Sequence, residues 1–289
     1  MLNHVREALR AVEAEAANVP LPETLGALRR VLGLDDFGAL MFGMPDPDLP
    51  NLSRVLPRMA STEVQQLWTG ASGEVLLKQT SSFVRAMAVQ FTRRTHRPLD
   101  GCEILDFGCG YGRISRLMYY FTDPGKLIGV DPWDRSIEVC RECGLGEDFR
   151  QSAWLPDELP VGSKKFDLIF AFSVFTHLSP RATQKAFAAC RRYVREDGLL
   201  TVTIRPAEYW LLDRSVHGLA DTKNVREQHE RQGFAFAPFD LPKIDGDLTY
   251  GNTSMTLSWL ERNVQGWRVE GVDRSLDDPY QVYLFLAPA

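Results

Sequence analysis

No apolar run in this chain is long enough to cross a bilayer: the longest, Leu168 to Phe175, is eight residues against the roughly twenty that a spanning helix needs. The opening Met1-Leu2-Asn3-His4-Val5-Arg6-Glu7 lacks the apolar stretch of a secretory signal. Both absences predict a cytoplasmic protein with no membrane partner. Cysteine is sparse: five residues, an odd number in a chain of 289, argue against a disulfide framework and suit a reducing compartment. Cys140-x-x-Cys143 is the one close pair. It falls in a predicted helix with no second pair beside it, so no metal is expected. Basic clusters are limited to short pairs such as Arg29-Arg30, Arg93-Arg94 and Arg191-Arg192, and the formal net charge is -5. That balance disfavours nucleic acid as a partner. No internal repeat is evident.

What is present suffices for one domain plus a sizeable extension, or two modest domains, with 44% hydrophobic residues. Residues 1–97 read as a helical N-terminal cap. Leu2, Val5, Leu9 and Val12 recur at helical spacing, Pro22 suits the first turn of a helix ending near Gly33, and Thr62-x-x-Gln65 has the form of a capping box. Leu76, Phe83, Val84, Met87 and Phe91 mark one face of a longer helix, while Met44 to Pro50 reads as a loop. From Cys102 the pattern becomes alternating strands and helices, an open α/β sheet with helices on both faces. Strands are expected at 102–107, 126–131, 166–172 and 199–205, a weaker one at 148–151, and two terminal ones near 267–273 and 281–286. Asp134 is placed to cap one helix and Gly144 to stop it; Ser179-Pro180 starts another, with Gly198 after it, and a further helix is expected near 256–263. Residues 98–289 are read as the second domain, with a substrate-side insertion at 206–265.

Ile104-Leu105-Asp106-Phe107-Gly108-Cys109-Gly110-Tyr111-Gly112-Arg113 carries a short strand through an acid into three glycines that open a helix, the arrangement that seats nucleotide-like ligands. A dinucleotide fingerprint would put its third glycine at position 113, where Arg113 stands, so a nicotinamide-dependent dehydrogenase is disfavoured. The strand Lys126-Leu127-Ile128-Gly129-Val130-Asp131 ends in an acid 25 positions beyond Asp106, a spacing suited to a carboxylate that accepts from ribose hydroxyls.

The acid-x-G-x-G-x-G pattern resembles the first motif of class I S-adenosylmethionine-dependent methyltransferases, and Phe166 to Ser179 resembles their fourth-strand motif. The resemblance covers about 100–205. It implies a Rossmann-like, seven-stranded, mostly parallel sheet with an antiparallel C-terminal edge, and S-adenosylmethionine as cofactor. It implies that Asp106, Gly108, Cys109, Gly110 and Gly112 seat the methionine end, that Asp131 holds the ribose, and that Pro132 and Trp133 wall the adenine. Ser152 stands where these enzymes carry an acid toward the adenine amino group, so that task passes to the Ser152 hydroxyl, the Ala153 amide and Trp154. Phe172 and Ser173 lie beneath the methionine moiety. Trp68, Thr69 and Gly70, where polar and glycine residues interrupt an amphipathic pattern, resemble a segment that closes over it.

His177 is the candidate general base for an acceptor hydroxyl, with Tyr209, Trp210, His217, His229 and Tyr250 as further acceptor-side candidates. The N/D-P-P-Y/F element of nucleobase amine methyltransferases is absent, and Phe172-Ser173-Val174-Phe175 stands there instead. With the acidic balance, this favours O-methylation of a small molecule or saccharide; Tyr250 to Met255 also looks like methyltransferases of bacterial glycan or secondary-metabolite pathways. A nucleic-acid or protein methyltransferase and a non-catalytic cofactor-binding partner protein are the rival readings. A homo-oligomer is left open, because the apolar N-terminal helices can cover an active site or a second subunit.

Overall fold

The computed structural model describes residues 3–212 and 222–289. Two compact units divide the chain, Met1–Ala88 with Pro98–Gln151, and Val89–Arg97 with Ser152–Ala289. Their strands are ordered β3-β2-β1-β4-β5-β9-β8 in one seven-stranded sheet, whose numbering is set out below.

The N-terminal segment is helical as its spacing predicts: α1 (Arg6–Glu15), α2 (Leu21–Val31), α3 (Leu34–Phe42), α4 (Pro50–Val55), α5 (Thr62–Thr69) and α6 (Glu74–Thr95). Leu76, Phe83, Val84, Met87 and Phe91 are all buried, so the predicted stripe of α6 is its core face. The expected capping box is displaced. Ser61, one residue earlier, caps α5 by accepting from the Val64 N–H, and Gln65 instead donates to the Ala60 carbonyl and accepts from Gly73 N–H. Ser61 takes the extended backbone that an N-cap needs, which leaves Thr62 as the first helical residue.

The first unit continues with β1 (Ile104–Phe107), α7 (Arg113–Met118), β2 (Leu127–Asp131), α8 (Asp134–Glu142) and β3 (Phe149–Gln151), with β1, β2 and β3 paired in parallel. Both β1 and β2 are buried along their whole length, as near-continuous apolar runs must be in a parallel sheet covered on both faces. Asp134 does not cap α8. It is the first helical residue, its carboxylate accepts from the Arg135 N–H, and the cap position falls on Trp133.

The second unit holds β4 (Phe166–Ala171), α9 (Pro180–Tyr193), β5 (Val194–Ile204), α10 (Thr222–Gln232), β6 (Phe234–Pro238), β7 (Gly251–Met255), α11 (Leu257–Asn263), β8 (Trp267–Arg274) and β9 (Val282–Pro288). Strands β4 and β5 are parallel, whereas β9 is antiparallel to both β5 and β8, which is the antiparallel edge that the resemblance implies. β5 starts at Val194 rather than 199; its register against β4 slips between Phe166 and Leu168, so Gly198 lies in an irregular strand instead of a helix-to-strand turn. At the start of β4 the buried Asp167 carboxylate accepts from Arg97 Nη2 at 2.6 Å and pairs with Arg195 Nε at 3.2 Å, a structural ion cluster. A separate antiparallel pair, β6 and β7, lies inside the expected insertion at 206–265, where the sequence predicts no strand. Its strand Gly251-Asn252-Thr253-Ser254-Met255 is buried throughout although mostly polar, so no hydrophobic alternation announced it.

Candidate functional site

In the first unit, β1 delivers the chain into Gly108, Gly110 and Gly112 at φ of 78°, 53° and 71°, a left-handed conformation at all three. Two of them do different work. At Gly112 an added Cβ would overlap Leu145 and stand 3.1 Å from Arg116 Nη1, whereas at Gly110 it would meet nothing within 4 Å. Gly112 is thus fixed by packing, and Gly110 borders open space.

Asp131, at the end of β2, ties this loop down: its Oδ2 accepts from the Gly110 N–H at 2.9 Å and its Oδ1 from the Trp133 N–H at 3.0 Å. With Ser136 also bonded to it, the carboxylate keeps lone-pair capacity for a ligand hydroxyl on one oxygen. Burial raises its pKa, and the two backbone N–H bonds and Ser136 oppose that rise. Asp106 is buried in β1 and accepts from Ser115 Oγ at 2.6 Å. Desolvation pushes its carboxyl up to about 7, the Ser115 bond pulls down, and Asp131 adds like-charge repulsion. A carboxylate so desolvated is satisfied by a cation, and the aligned second carboxylate suits hydroxyl donors; the pair fits a ligand carrying both.

Trp133, 42% exposed, packs against Trp68 at 4.6 Å with the rings tilted by 40°, and Trp68 in turn lies 5.9 Å from Tyr111 of the glycine loop. The structure therefore brings Trp68 to the loop residues of its own unit. Thr69 Oγ1 donates to the Gln65 carbonyl at 2.7 Å, and Gly70 is the left-handed C-cap of α5 with φ of 74°, so both have clear helix-ending work. Pro132 links Asp131 to Trp133, and its carbonyl accepts from Gln151 Nε2. Cys109 is buried with its thiol hydrogen-bonded to that of Cys140 and its pKa raised by desolvation; all five cysteines are free and buried. Arg113, the residue that breaks the dinucleotide fingerprint, is buried and donates to Gln79 Oε1 and Thr80 Oγ1.

In the second unit, Ser152, Ala153 and Trp154 follow β3 in open loop, and Trp154 is 38% exposed, edge-on to Tyr250 at 6.4 Å. Phe172 and Ser173 follow β4. Ser173 has φ of 59°, a costly conformation for a residue with a Cβ, held by its N–H on Thr203 Oγ1 at 2.7 Å and by Gln281 Nε2 on its hydroxyl at 3.2 Å.

His177 is engaged at both ring nitrogens. Nδ1 lies 2.7 Å from the Gly251 carbonyl and must donate there; Nε2 lies 3.1 Å from Arg205 Nη2 and must accept there. The ring is thereby the neutral Nδ1–H tautomer. It stacks on Tyr250 at 5.2 Å, and its backbone carbonyl accepts from Gly251 N–H. Arg205, just past β5, is buried; Nη1 donates to the Thr176 carbonyl and to Asn252 Oδ1, each at 2.8 Å, and the guanidinium lies 4.1 Å over the Tyr209 ring. Tyr209 Oη also donates to Asn252 Oδ1, at 3.1 Å. Trp210 and His229 are both bonded to Ser254 Oγ at 2.7 Å, which makes them packing residues of the small sheet, and burial lowers the His229 pKa. His217 lies outside the described residues.

Arg205, Asn252 and Ser115 escaped the sequence reading. Position at the C-terminal end of a parallel strand was the signal available for Arg205, the same signal that picked Phe172 and Ser173. Asn252 lay inside a noted run without any reason to single it out.

Residues 104–198 match the methyltransferase domain family. The chain is 30% identical over 111 residues to the ubiquinone biosynthesis O-methyltransferase of Agrobacterium fabrum, covering 37% of this chain and 42% of that protein. It is 34% identical over 104 residues to the corresponding enzyme of Azorhizobium caulinodans, covering 34% and 40%. It thus spans less than half the length of these curated relatives. Among solved structures, an S-adenosylmethionine-dependent methyltransferase from Clostridium acetobutylicum shares the fold with a TM-score of 0.52 at 13% identity, over 78% of this chain and 97% of that one. Residues 104–198 thus carry a methyltransferase domain match, on a sheet of the order β3-β2-β1-β4-β5 with an antiparallel edge.

Proposed function

We propose that this protein transfers a methyl group from S-adenosylmethionine to a hydroxyl of a small-molecule or saccharide acceptor. The observation that carries the cofactor half is the stitch between Asp131 and Gly110, which joins a ribose-type carboxylate to a left-handed glycine loop within one unit. When bound, S-adenosylmethionine supplies a methyl on a sulfonium, open to direct displacement by an acceptor atom. Asp106 would offset the cationic charge at the methionine end, and Asp131 would accept from the ribose hydroxyls while keeping its backbone bonds. Trp133 would cover the adenine, with Trp68 packed behind it. The resemblance assigns Gly108, Cys109, Gly112, Pro132, Thr69, Gly70, Ser152, Ala153, Trp154, Phe172 and Ser173 to the cofactor as well.

His177 serves as a proton acceptor only if Nε2 exchanges Arg205 for the acceptor hydroxyl, because its single free lone pair is directed at the guanidinium. Otherwise transfer rests on holding donor and acceptor in line. Hydroxyl methylation draws support from the O-methyltransferase relatives, and a small acceptor from the acidic charge. We carry forward the helical cap at 1–97, a substrate-side insertion at 206–265, a cytoplasmic location and a homo-oligomer as parts of the same proposal; among the described residues no helix is long and apolar enough to cross a membrane.

The test is calorimetry with S-adenosylmethionine and S-adenosylhomocysteine on the wild type and Asp131→Ala. Binding by the wild type, weakened roughly 10-fold to 100-fold in the variant by loss of charge-assisted bonds, is the expected result. No binding by the wild type overturns the proposal; equal binding by the variant removes the ribose assignment.

A further inference from the structure

Arg205 is a buried cation, 8% exposed, with no carboxylate within ion-pairing distance among the described residues. A guanidinium has five N–H donors. Two on Nη1 go to Thr176 and Asn252 and one on Nη2 to His177, which leaves Nε–H and the second Nη2–H without a partner. Buried Arg116, which likewise lacks a carboxylate and spends three of its five donors, closes Nε and Nη2 on the Arg58 carbonyl, at 3.1 Å and 2.7 Å, and Nη1 on that of Tyr111. Arg205 differs in leaving its Nε–H unbonded.

A second unmet donor touches the first. Asn252 is 1% exposed, and the bonds from Arg205 and Tyr209 fix which end of its amide is oxygen. Its Nδ2 is buried with no acceptor. An unmet buried donor is destabilising, and a buried charge that Asp278 reaches only at longer range more so, a cost that a ligand completing both groups would offset.

We propose that Arg205 and Asn252 form a carboxylate-binding subsite, and that the methyl acceptor is a small molecule bearing a carboxylate in addition to the group that is methylated. This rests on the methyltransferase reading above. The donors are the two unbonded guanidinium N–H groups plus one amide N–H, a set that a carboxylate accepts, and one guanidinium charge balances a monoanion better than a phosphate dianion. Tyr209 beneath the guanidinium and His177 on Nη2 hold the fork flat and turned one way. His177 is on this account a positioning residue for Arg205.

The same chemistry has a second source, the carboxylate of the cofactor's methionine end, and the test separates the two. In nitrogen–proton NMR spectra the Arg205 Nε–H signal, assigned with Arg205→Lys, is followed during titration with benzoate, with benzamide and with S-adenosylhomocysteine. The expected result is a saturable shift with benzoate, none with benzamide, and a benzoate response that persists when S-adenosylhomocysteine is saturating. Asn252→Asp supplies an internal carboxylate to Arg205, so it keeps the buried charge paired and the fold intact; it should weaken benzoate by about tenfold or more. No response to benzoate, or an equal response to benzamide, overturns the subsite. A shift caused by S-adenosylhomocysteine that abolishes the benzoate response overturns the acceptor assignment and gives Arg205 to the cofactor. Calorimetry with S-adenosylhomocysteine runs alongside: binding there with no benzoate response sinks this inference alone, whereas a benzoate response without cofactor binding sinks the methyltransferase reading and leaves a carboxylate site.

Discussion

The proposed cofactor role of Asp106 ties ligand binding to pH through a single proton. Its folded-state pKa of about 7 lies above the ordinary 3.8, so the native protein holds more protons than the unfolded chain between those values. Stability therefore falls as pH rises through that window, by up to ~1.4 kcal/mol per pH unit from this group, and levels off above it. A ligand that brings a cation reverses the preference and expels the proton. Affinity for S-adenosylhomocysteine is expected to rise about tenfold per unit of pH below about 7 and to plateau above it. Asp106→Asn, isosteric and neutral, should bind more weakly at pH 8 with a flat pH dependence, and should be more stable than the wild type there by denaturant titration. A parallel pH dependence in the two proteins would show that some other group carries the proton. At His177 the measurement is the turnover profile of His177→Gln once an acceptor is in hand. A positioning role predicts a raised KM for the acceptor with the acidic limb of kcat retained; loss of that limb together with kcat would identify His177 as the base.

The glycine loop between β1 and α7 offers a comparison of two glycines that look alike in sequence. Both Gly110 and Gly112 sit at positive φ, which costs an alanine roughly 1–2 kcal/mol at either place. At Gly112 the new methyl also strikes Leu145 and Arg116, so Gly112→Ala is expected to lose a further ~1–3 kcal/mol of stability in urea titration. At Gly110 the methyl projects into open space, so the stability loss should stop near the backbone cost while S-adenosylhomocysteine affinity drops. Equal stability losses would mean that the loop rearranges and that Gly110 does not border the ligand. Elements of this kind were readable because their requirement is local: a strand of buried apolar residues, a glycine at forbidden φ, an acid at the next strand end, a Ser179 cap whose side chain accepts from Ala182 N–H. β7 was not readable. Its middle residues, asparagine, threonine and serine, are buried and bond to partners such as Arg205, Trp210 and His229 that lie 47, 44 and 25 positions away. The same holds for His177, whose residue type was visible but whose proton was not: Gly251, 74 positions on, fixes the tautomer. The capping box and the Asp134 cap failed by one residue each, because side-chain type marks the neighbourhood of a helix start more sharply than backbone conformation.

At the scale of the molecule, several charged groups are buried at a cost: Asp106 and Asp131 have raised pKa values, and Arg116 and Arg205 lowered ones, each chiefly through desolvation. Arg116 closes Nε and Nη2 on a backbone carbonyl, whereas Asp106 accepts from Ser115 and Arg205 leaves Nε–H unbonded, capacity that the proposed ligands would fill. The ligand-free protein is therefore expected to gain unusually from binding. A ligand at 100 times its Kd adds about 2.7 kcal/mol to native stability, which for a chain of this size raises the Tm by roughly 4–5 °C. Because Asp106 must lose a proton first, the same concentration of S-adenosylhomocysteine should raise the Tm further at pH 8 than at pH 6, while the ligand-free protein should melt lower at pH 8 if this group dominates the difference. Scanning fluorimetry at the two pH values, with and without ligand, gives the four melting temperatures needed. In Asp106→Asn the pH difference in the ligand-induced shift should vanish. A ligand-induced shift in the wild type that is equal at both pH values would disconnect Asp106 from the cofactor, and would return it to the role of a core acid held by Ser115.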